Sequence, residues 1–382
     1  MERKELTIVC AGGGTLGSVT PLLSVLAELK KQLPACKVRV VWFGTTHGPE
    51  KEVVQNVVEK YIQLPAAKWR RYFSIKNITD LVLILFSFIK CLIWFTRNQV
   101  DIVLTAGSFV ALPVGLVAKV MSVPLVVHQQ DVKVVLTNKI LGRVANLVTV
   151  TFPESIKDFP NNVCRVVGNP VRSEFLNLRP ADTLKNELGL NVHLPILVVI
   201  GGGTGAVSLN RIVEQAVPEL VKNFQVLHIT GQGNLKNTFK HSHYLPLEFV
   251  AQAETIFKAL QVADVVITRA GMAFLTELGV LGKSIIVIPL PSKHQEANAE
   301  LIAKKQAGVY VHQLGLTSEQ LVATVNELWN DTDRREKYAE NLTKLFPKDG
   351  AERVVSEVLR LLKDVIVRNE VKRNDEVISQ KF

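Results

Sequence analysis

The sequence predicts an α/β protein of two Rossmann-like domains, each built on a doubly wound parallel sheet. Three observations carry this. Short runs rich in Val and Ile alternate with longer helical patterns along the chain, as βαβ units around buried parallel strands require. A glycine-rich turn between a strand and a helix occurs at residues 11–17 and recurs at 201–205. The length, 382 residues, suits two domains of ordinary size.

The strands of the first half are LTIVCAGGG, VRVVWFGT, DIVLTAGS, PLVVHQQ and LVTVTF. Those of the second are PILVVIGGG, FQVLHITGQG, DVVITRAG and SIIVIPLP. Each is short and ends in glycine or a polar cluster, which puts ligand-binding loops at the C-terminal strand ends. Helical patterns such as PLLSVLAELKKQL and LNRIVEQAVPELVKNF lie between them. The boundary falls near GNPVR, so the expected domains are 1–165 and 166–349. A C-terminal helix over 350–366 packs back on the first domain in this reading, and the charged tail 367–382 frays.

With 47% hydrophobic and 21% charged residues the chain has ample material for two cores. Four scattered cysteines, Cys10, Cys36, Cys91 and Cys164, show no paired spacing, which argues against a zinc site or a disulfide framework and fits a reducing cytoplasm. The opening MERKELTIVC runs straight into a strand, with no secretory leader pattern. The net charge of +10 is unevenly spread. Residues 1–165 hold 20 Lys and Arg against 11 Asp and Glu, a net of +9, and the remainder holds 25 against 24. The first half therefore faces an anionic partner. No recognition motif for nucleic acid accompanies the charge, and a membrane surface is the stronger reading.

In AGGGTLGSVTP the glycines let the main chain turn tightly, and the helix that follows aims free amides and its positive end at a ligand, an arrangement suited to a diphosphate. The pattern departs from the dinucleotide fingerprint, and no acidic residue ends the next strand, so a nicotinamide cofactor is disfavoured. GGGTGAVSLN repeats the logic in the second half, and the two loops are expected to face each other across a cleft. The stretch ADVVITRAGMAFLTELGVLGKSIIVIPLPSKHQEANAELI adds polar groups. Glu277, in the early turns of a helix, is placed to accept both hydroxyls of a ribose. Gln295 and Asn298, expected in the loop after the next strand, offer amides to sugar hydroxyls.

The motifs AGGGTLGSVTP, HQQD…LTNK, GNPVR, GGGTGA and RAGMAFLTE…HQEANA stand in that order, and with them the chain resembles the MurG family of UDP-N-acetylglucosamine–N-acetylmuramyl-(pentapeptide) pyrophosphoryl-undecaprenol N-acetylglucosamine transferases from about residue 6 to about residue 362. The resemblance implies a B-type glycosyltransferase fold, inverting chemistry, no cofactor and no obligatory metal. It implies UDP-GlcNAc as donor and a lipid-linked muramyl-pentapeptide as acceptor, at the cytoplasmic face of the cell membrane. The N-terminal half would bind acceptor and membrane, and the C-terminal half the donor. By the same resemblance Glu277 is the ribose ligand. Met272, Ala273, Phe274, Leu275 and Thr276 form the helix start that meets the diphosphate, and Gln295 contacts the donor sugar. Arg172 is a donor-side cation, Val250 pairs with uracil through its main chain, and Thr15, Leu16 and Gly17 meet the sugar and the acceptor phosphate.

Three departures cluster around the reacting atoms. The family's GGTGGH is here GGTLGS, so Ser18 replaces a histidine. HEQN becomes HQQD, which places Gln129 and Asp131 where the family has Glu and Asn. GGSQGA becomes GGGTGA, so Gly203 replaces a serine that touches the donor. Ser18 is too weak a base near neutral pH, which leaves Asp131 and His128 as candidates to take the acceptor's proton, Asp131 being preferred. The departures also keep open a related lipid or polysaccharide glycosyltransferase, or a weakly active nucleotide-sugar-binding scaffold.

Residues 68–97, KWRRYFSIKNITDLVLILFSFIKCLIWFTR, join a cationic, aromatic flank (Lys68, Trp69, Arg70, Arg71, Tyr72, Phe73, Lys76) to an apolar stretch, Leu81 to Thr96, interrupted by Lys90. It is too short to span a bilayer comfortably and too apolar all round for an ordinary surface helix. A partly inserted interfacial helix that recruits anionic lipid is the expectation.

Overall fold

The computed structural model describes residues 5–65, 76–190, 193–201, 206–231, 233–234, 239–248 and 253–379. The chain divides into two compact units, Met1–Pro170 with Asp349–Phe382, and Val171–Lys348.

The first unit runs β1 (Glu5–Ala11), α1 (Thr20–Gln32), β2 (Lys37–Thr45), α2 (Glu50–Val54), β3 (Lys60–Leu64), α3 (Lys76–Thr96), β4 (Ile102–Thr105), α4 (Ala111–Val120), β5 (Leu125–Gln129), α5 (Leu136–Leu141), β6 (Leu147–Val150) and β7 (Cys164–Val166). Its sheet has the order β3-β2-β1-β4-β5-β6-β7, with every pair parallel. In register Ile8 lies beside Val40 and Ile102. Successive side chains point to opposite faces, so β1 feeds two cores. Ile8 and Cys10 join Leu22, Val25, Leu26 and Leu29 of α1 on one face, and Val9 and Ala11 join Cys91, Phe95, Val114 and Val117 on the other.

The second unit contains α6 (Ala181–Glu187), β8 (Ile196–Ile200), α7 (Val207–Leu220), β9 (Gln225–Ile229), β10 (Tyr244–Leu247), α8 (Ala253–Val262), β11 (Val265–Thr268), α9 (Met272–Val280), β12 (Ser284–Val287), α10 (Lys293–Lys304), β13 (Val309–Tyr310), α11 (Ser318–Asn330) and α12 (Thr332–Leu345). Its all-parallel sheet has the order β10-β9-β8-β11-β12-β13. Leu197 and Val199 of β8 pack with α7 and α11 through Leu209, Val213, Val217, Leu321 and Val325.

In each sheet the strand order reverses once, between β1 and β4 and between β8 and β11. Such reversals open a crevice at the C-terminal strand ends, where ligands bind in this class of sheet. The first glycine-rich turn, after β1, stands at one of those points, and Gly201, directly after β8, stands at the other.

The nine strands read from the sequence are all present. The four it did not reveal, β3, β7, β10 and β13, are the two edges of each sheet. They have 5, 3, 4 and 2 residues and mixed burial, so they lack the continuous apolar run that marks a central strand.

The chain returns to the first unit through α13 (Gly350–Ser379), whose Val354, Val355, Val358 and Leu362 share the core of α1. The helix does not stop at 366 as expected but continues through most of the charged tail, because no Gly or Pro follows Gly350 and charged residues are adequate helix formers. Its start is sterically exacting. A Cβ on Gly350 would lie 2.5 Å from the carbonyl oxygen of Asn169 and 2.8 Å from its carbon. Asn169 is itself held, its Oδ1 2.9 Å from His128 Nε2. Gly350→Ala is therefore expected to cost about 1–3 kcal/mol, the scale of overpacking, read as a lower denaturation midpoint. An unchanged midpoint would mean that the crossing relaxes freely.

Helix α3 is apolar on two sides for two reasons. Ser87, Cys91 and Phe95 are buried against the first unit, and Phe43 packs edge-on to Trp94 with ring centroids 5.4 Å apart. Leu81, Val82, Leu85, Phe86, Ile89 and Ile93 recur at helical spacing and are 47–61% exposed. Lys90 Nζ donates to the Gln63 carbonyl at 2.8 Å. The cationic flank from Lys68 to Phe73 lies outside the described residues.

Candidate active site

In the second unit Glu277 falls in the second turn of α9 and is 3% exposed. Its Oε1 accepts from both Nε and Nη2 of Arg172, each at 2.9 Å, and the Arg172 guanidinium lies 4.8 Å over the Phe175 ring. Burial pushes the Glu277 carboxyl up to about 7 even though Arg172 pulls it down. Arg172 thus holds the carboxylate in place, a function the sequence did not reveal.

The first turn of α9 begins at Gly271 with extended main chain, so the amides of Met272, Ala273 and Phe274 lack partners within the helix. The Leu275 amide already donates to Gly271 O, and the Thr276 hydroxyl turns back onto Met272 O at 2.9 Å. Beside this turn Arg269 is buried, with Nη1 on the carbonyls of Ile288 and Pro289 and Nη2 on Ser208 Oγ. Burial holds its guanidinium down at about 10.

Gln295 and Asn298 are not in a loop. They occupy the first two turns of α10, because Ser292 caps that helix and accepts from the Gln295 amide. Gln295 Oε1 accepts from Leu290 N at 2.9 Å. Asn298 is 1% exposed, and its Nδ2 donates to Ala270 O at 3.0 Å, which fixes the turn that launches α9. Gly203 and Val250 lie outside the described residues. Gly201 is described. A Cβ there would come 2.2 Å from Ala206 Cβ, so position 201 has room only for glycine.

In the first unit the glycine loop is latched from within. Gly12 N donates to Phe43 O, Gly13 N to Ser18 Oγ at 3.2 Å, and Gly14 N to Glu50 Oε2 at 3.1 Å. Ser108, left-handed at φ 78°, donates from its hydroxyl to Gly13 O, and Gln130 Nε2 donates to Gly17 O at 2.7 Å. The diphosphate cradle expected at Gly12–Gly14 is therefore already occupied. Thr15 is exposed at the tip, and Leu16 and Gly17 are half-buried in the 3-10 turn Leu16–Ser18.

Two of the three catalytic candidates are spent on structure. Ser18 is 7% exposed with its hydroxyl on the Gly13 amide. His128 is 3% exposed, its Nδ1 3.0 Å from Thr149 Oγ1 and its Nε2 2.9 Å from Asn169 Oδ1. Burial drives its pKa down to about 4 against the opposing effect of Asn169, so it stays neutral and engaged. Asp131 lies half-buried just past β5, and its main-chain carbonyl accepts from Gln129 Nε2 at 2.8 Å. Asn138 completes the segment, its Nδ2 donating to His128 O and Gln129 Oε1. Among the described residues no three His, Cys, Asp or Glu side chains are grouped to hold a metal ion.

Two parallel α/β units, each with its loops gathered at a reversal of strand order, are the framework of nucleotide-sugar enzymes. The family models agree with that framework. Residues 8–150 match the glycosyltransferase family 28 N-terminal domain and residues 196–354 its C-terminal domain, so the chain is a glycosyltransferase. It is 31% identical over 354 residues to a Lachnoclostridium phytofermentans protein, covering 91% of this chain and 97% of the relative. It is also 31% identical over 353 residues to one from Clostridium tetani, covering 91% and 96%. Both carry the name UDP-N-acetylglucosamine–N-acetylmuramyl-(pentapeptide) pyrophosphoryl-undecaprenol N-acetylglucosamine transferase. The crystal structure of Acinetobacter baumannii MurG shares the fold, with a TM-score of 0.69 at 23% identity over 94% of this chain and 99% of that one. The chain belongs to the MurG family.

Proposed function

We propose that this protein transfers N-acetylglucosamine from UDP-GlcNAc to undecaprenyl-pyrophosphoryl-MurNAc-pentapeptide, making the lipid-linked disaccharide precursor of peptidoglycan. The observation that carries this is the 31% identity, over 91% of this chain, to relatives named for that reaction. The second unit binds the donor. Glu277, held by Arg172, accepts the ribose hydroxyls, and the first-turn amides of α9 meet the diphosphate. Val250 pairs with uracil through its main chain, and Gln295 with Gly203 lines the sugar. The first unit binds the acceptor through Thr15, Leu16 and Gly17. Asp131 takes the proton as the acceptor hydroxyl attacks the anomeric carbon and UDP departs from the opposite face. The engagement of His128 and Ser18 supports that choice. Fixed amide donors aimed at the departing diphosphate supply the main electrostatic help without a metal.

The experiment is transfer of labelled GlcNAc from UDP-GlcNAc to the purified lipid-linked muramyl-pentapeptide. Time-dependent formation of the disaccharide is expected. Transfer only to another lipid, or UDP binding without turnover on any lipid, would replace this reading.

The protein works as a peripheral enzyme on the cytoplasmic face of an anionic membrane. Among the described residues no helix is long and apolar enough to cross a bilayer. The exposed face of α3 supports surface docking, and α4, which packs against both α3 and α5, adds exposed Val120 with Met121 just past its end, while α5 adds Leu136 and Ile140. Leu85→Asp with Phe86→Asp is expected to weaken vesicle binding at least about tenfold, since each apolar side chain contributes about 1.5–3 kcal/mol when fully buried. Charge reversal at Arg70 and Arg71 should remove the preference for anionic lipid, at about 1 kcal/mol per cation. Wild-type vesicle binding by both variants in a sedimentation assay would refute this docking face.

A further inference from the structure

We propose that Glu50 is the internal anion of the first glycine loop, a positioning residue that sets the loop so that the acceptor is met by Thr15–Gly17 and not by the glycine amides. Glu50 opens α2 and is completely buried. Its Oε1 accepts from Thr45 N at 2.6 Å and from Thr45 Oγ1 at 2.5 Å, and the Tyr61 hydroxyl, whose proton is shared with Thr45 O at 2.8 Å, lies 3.1 Å away. Its Oε2 accepts from Gly14 N at 3.1 Å. A carboxylate can be buried only with such a set of donors.

The glycines around it are shaped to this group. A Cβ on Gly13 would stand 2.2 Å from Oε1, and one on Gly48 would stand 1.9 Å from Oε2. Gly14, at φ +80°, turns its amide toward the carboxylate in a conformation that L side chains rarely adopt. A glycine-rich turn after a strand is a ready seat for an anion, and here the chain supplies that anion itself. A buried ion stabilises a fold poorly compared with apolar packing, so its presence beneath a ligand-facing loop is read as control of loop geometry.

The inference rests on the reading that this loop faces the acceptor, and the test separates the two. Amide hydrogen exchange in the wild-type protein is expected to be slow at Gly12–Gly14 and fast at Thr15–Gly17. Fast exchange at Gly14 would overturn the proposal whether or not transfer is observed. Glu50→Gln keeps the volume but faces the Gly14 N–H with an amide. It is expected to speed Gly14 exchange and to lower kcat/KM for the lipid acceptor by about 10- to 100-fold, the scale of a hydrogen bond to a charged group. UDP affinity should stay within about twofold. Formate added to Glu50→Ala should restore part of the acceptor kinetics by refilling the seat. Unchanged acceptor kinetics in Glu50→Gln, or a parallel loss of UDP affinity, would sink the assignment. Should the variants not fold, the wild-type exchange pattern decides it alone. Absence of transfer by the wild type would count against the proposed reaction and leave the exchange result standing.

Discussion

Asp131→Asn is expected to lower kcat for GlcNAc transfer about 10²-fold or more while leaving UDP affinity nearly unchanged, as for loss of a general base in an otherwise intact site. The acceptor hydroxyl must lose its proton as it attacks, and a hydroxyl side chain cannot take it near neutral pH. Ser18 is therefore unsuitable by chemistry, and its hydroxyl is bonded to the Gly13 amide. His128 is unsuitable by environment. Its two ring nitrogens face Thr149 and Asn169, and with its pKa down at about 4 it serves to hold Asn169 where the chain leaves the first unit. Asp131 stands at the C-terminal end of β5, the sheet edge at which sites of this class form. Asparagine preserves its shape and removes only its basicity. Near-normal turnover of Asp131→Asn on the lipid acceptor would end its candidacy and point to proton loss to water.

Glu277→Ala is expected to weaken UDP binding by about 1.5–3 kcal/mol, the range for hydrogen bonds to a charged group. The same change removes the partner of Arg172, so some loss of stability accompanies it. The pH dependence has a definite sign. The folded-state pKa of Glu277, about 7, lies above its ordinary value of 4.5, so the folded protein holds this proton more tightly than the unfolded chain does. The stability contributed by this group is full below about 4.5 and is lost as pH rises through about 7. UDP affinity should move the opposite way, rising through the same window as the carboxylate ionises and becomes the better acceptor for ribose hydroxyls. Titration calorimetry with UDP on either side of that pKa checks the affinity, and denaturation midpoints at the same pH values check the stability. Unchanged UDP affinity in folded Glu277→Ala would remove the residue from the donor site.

The sequence by itself determined the class of fold, the nine central strands, the two glycine turns and the family. Those features are written locally. A buried parallel strand is a short continuous apolar run, and a turn at a strand end needs glycine whatever surrounds it. The position of Glu277 in the early turns of a helix after a strand was legible as well, since the strand, the glycine turn and the helix are adjacent in the chain.

What only the tertiary structure decided is which polar groups are already taken. Edge strands such as β13, two residues long, carry no pattern of their own and exist because a neighbour pairs with them. The placement of Gln295 and Asn298 turned on whether PSKHQEANAE begins with a loop or a cap at Ser292, and the two readings share the same residues up to the helix. Gly12–Gly14 looked like an open phosphate cradle. The group that fills it, Glu50, is separated from it by α1 and β2 and reads in sequence as an ordinary acidic residue in the first turn of a helix. The same holds for His128. Whether an imidazole is a base or a strut depends on what faces its two nitrogens, and Thr149 and Asn169 come from 21 and 41 residues away. Hydrogen bonding between distant segments consumes or releases a functional group only once the chain has folded, so chemistry at a site is legible from residue types while its availability is not.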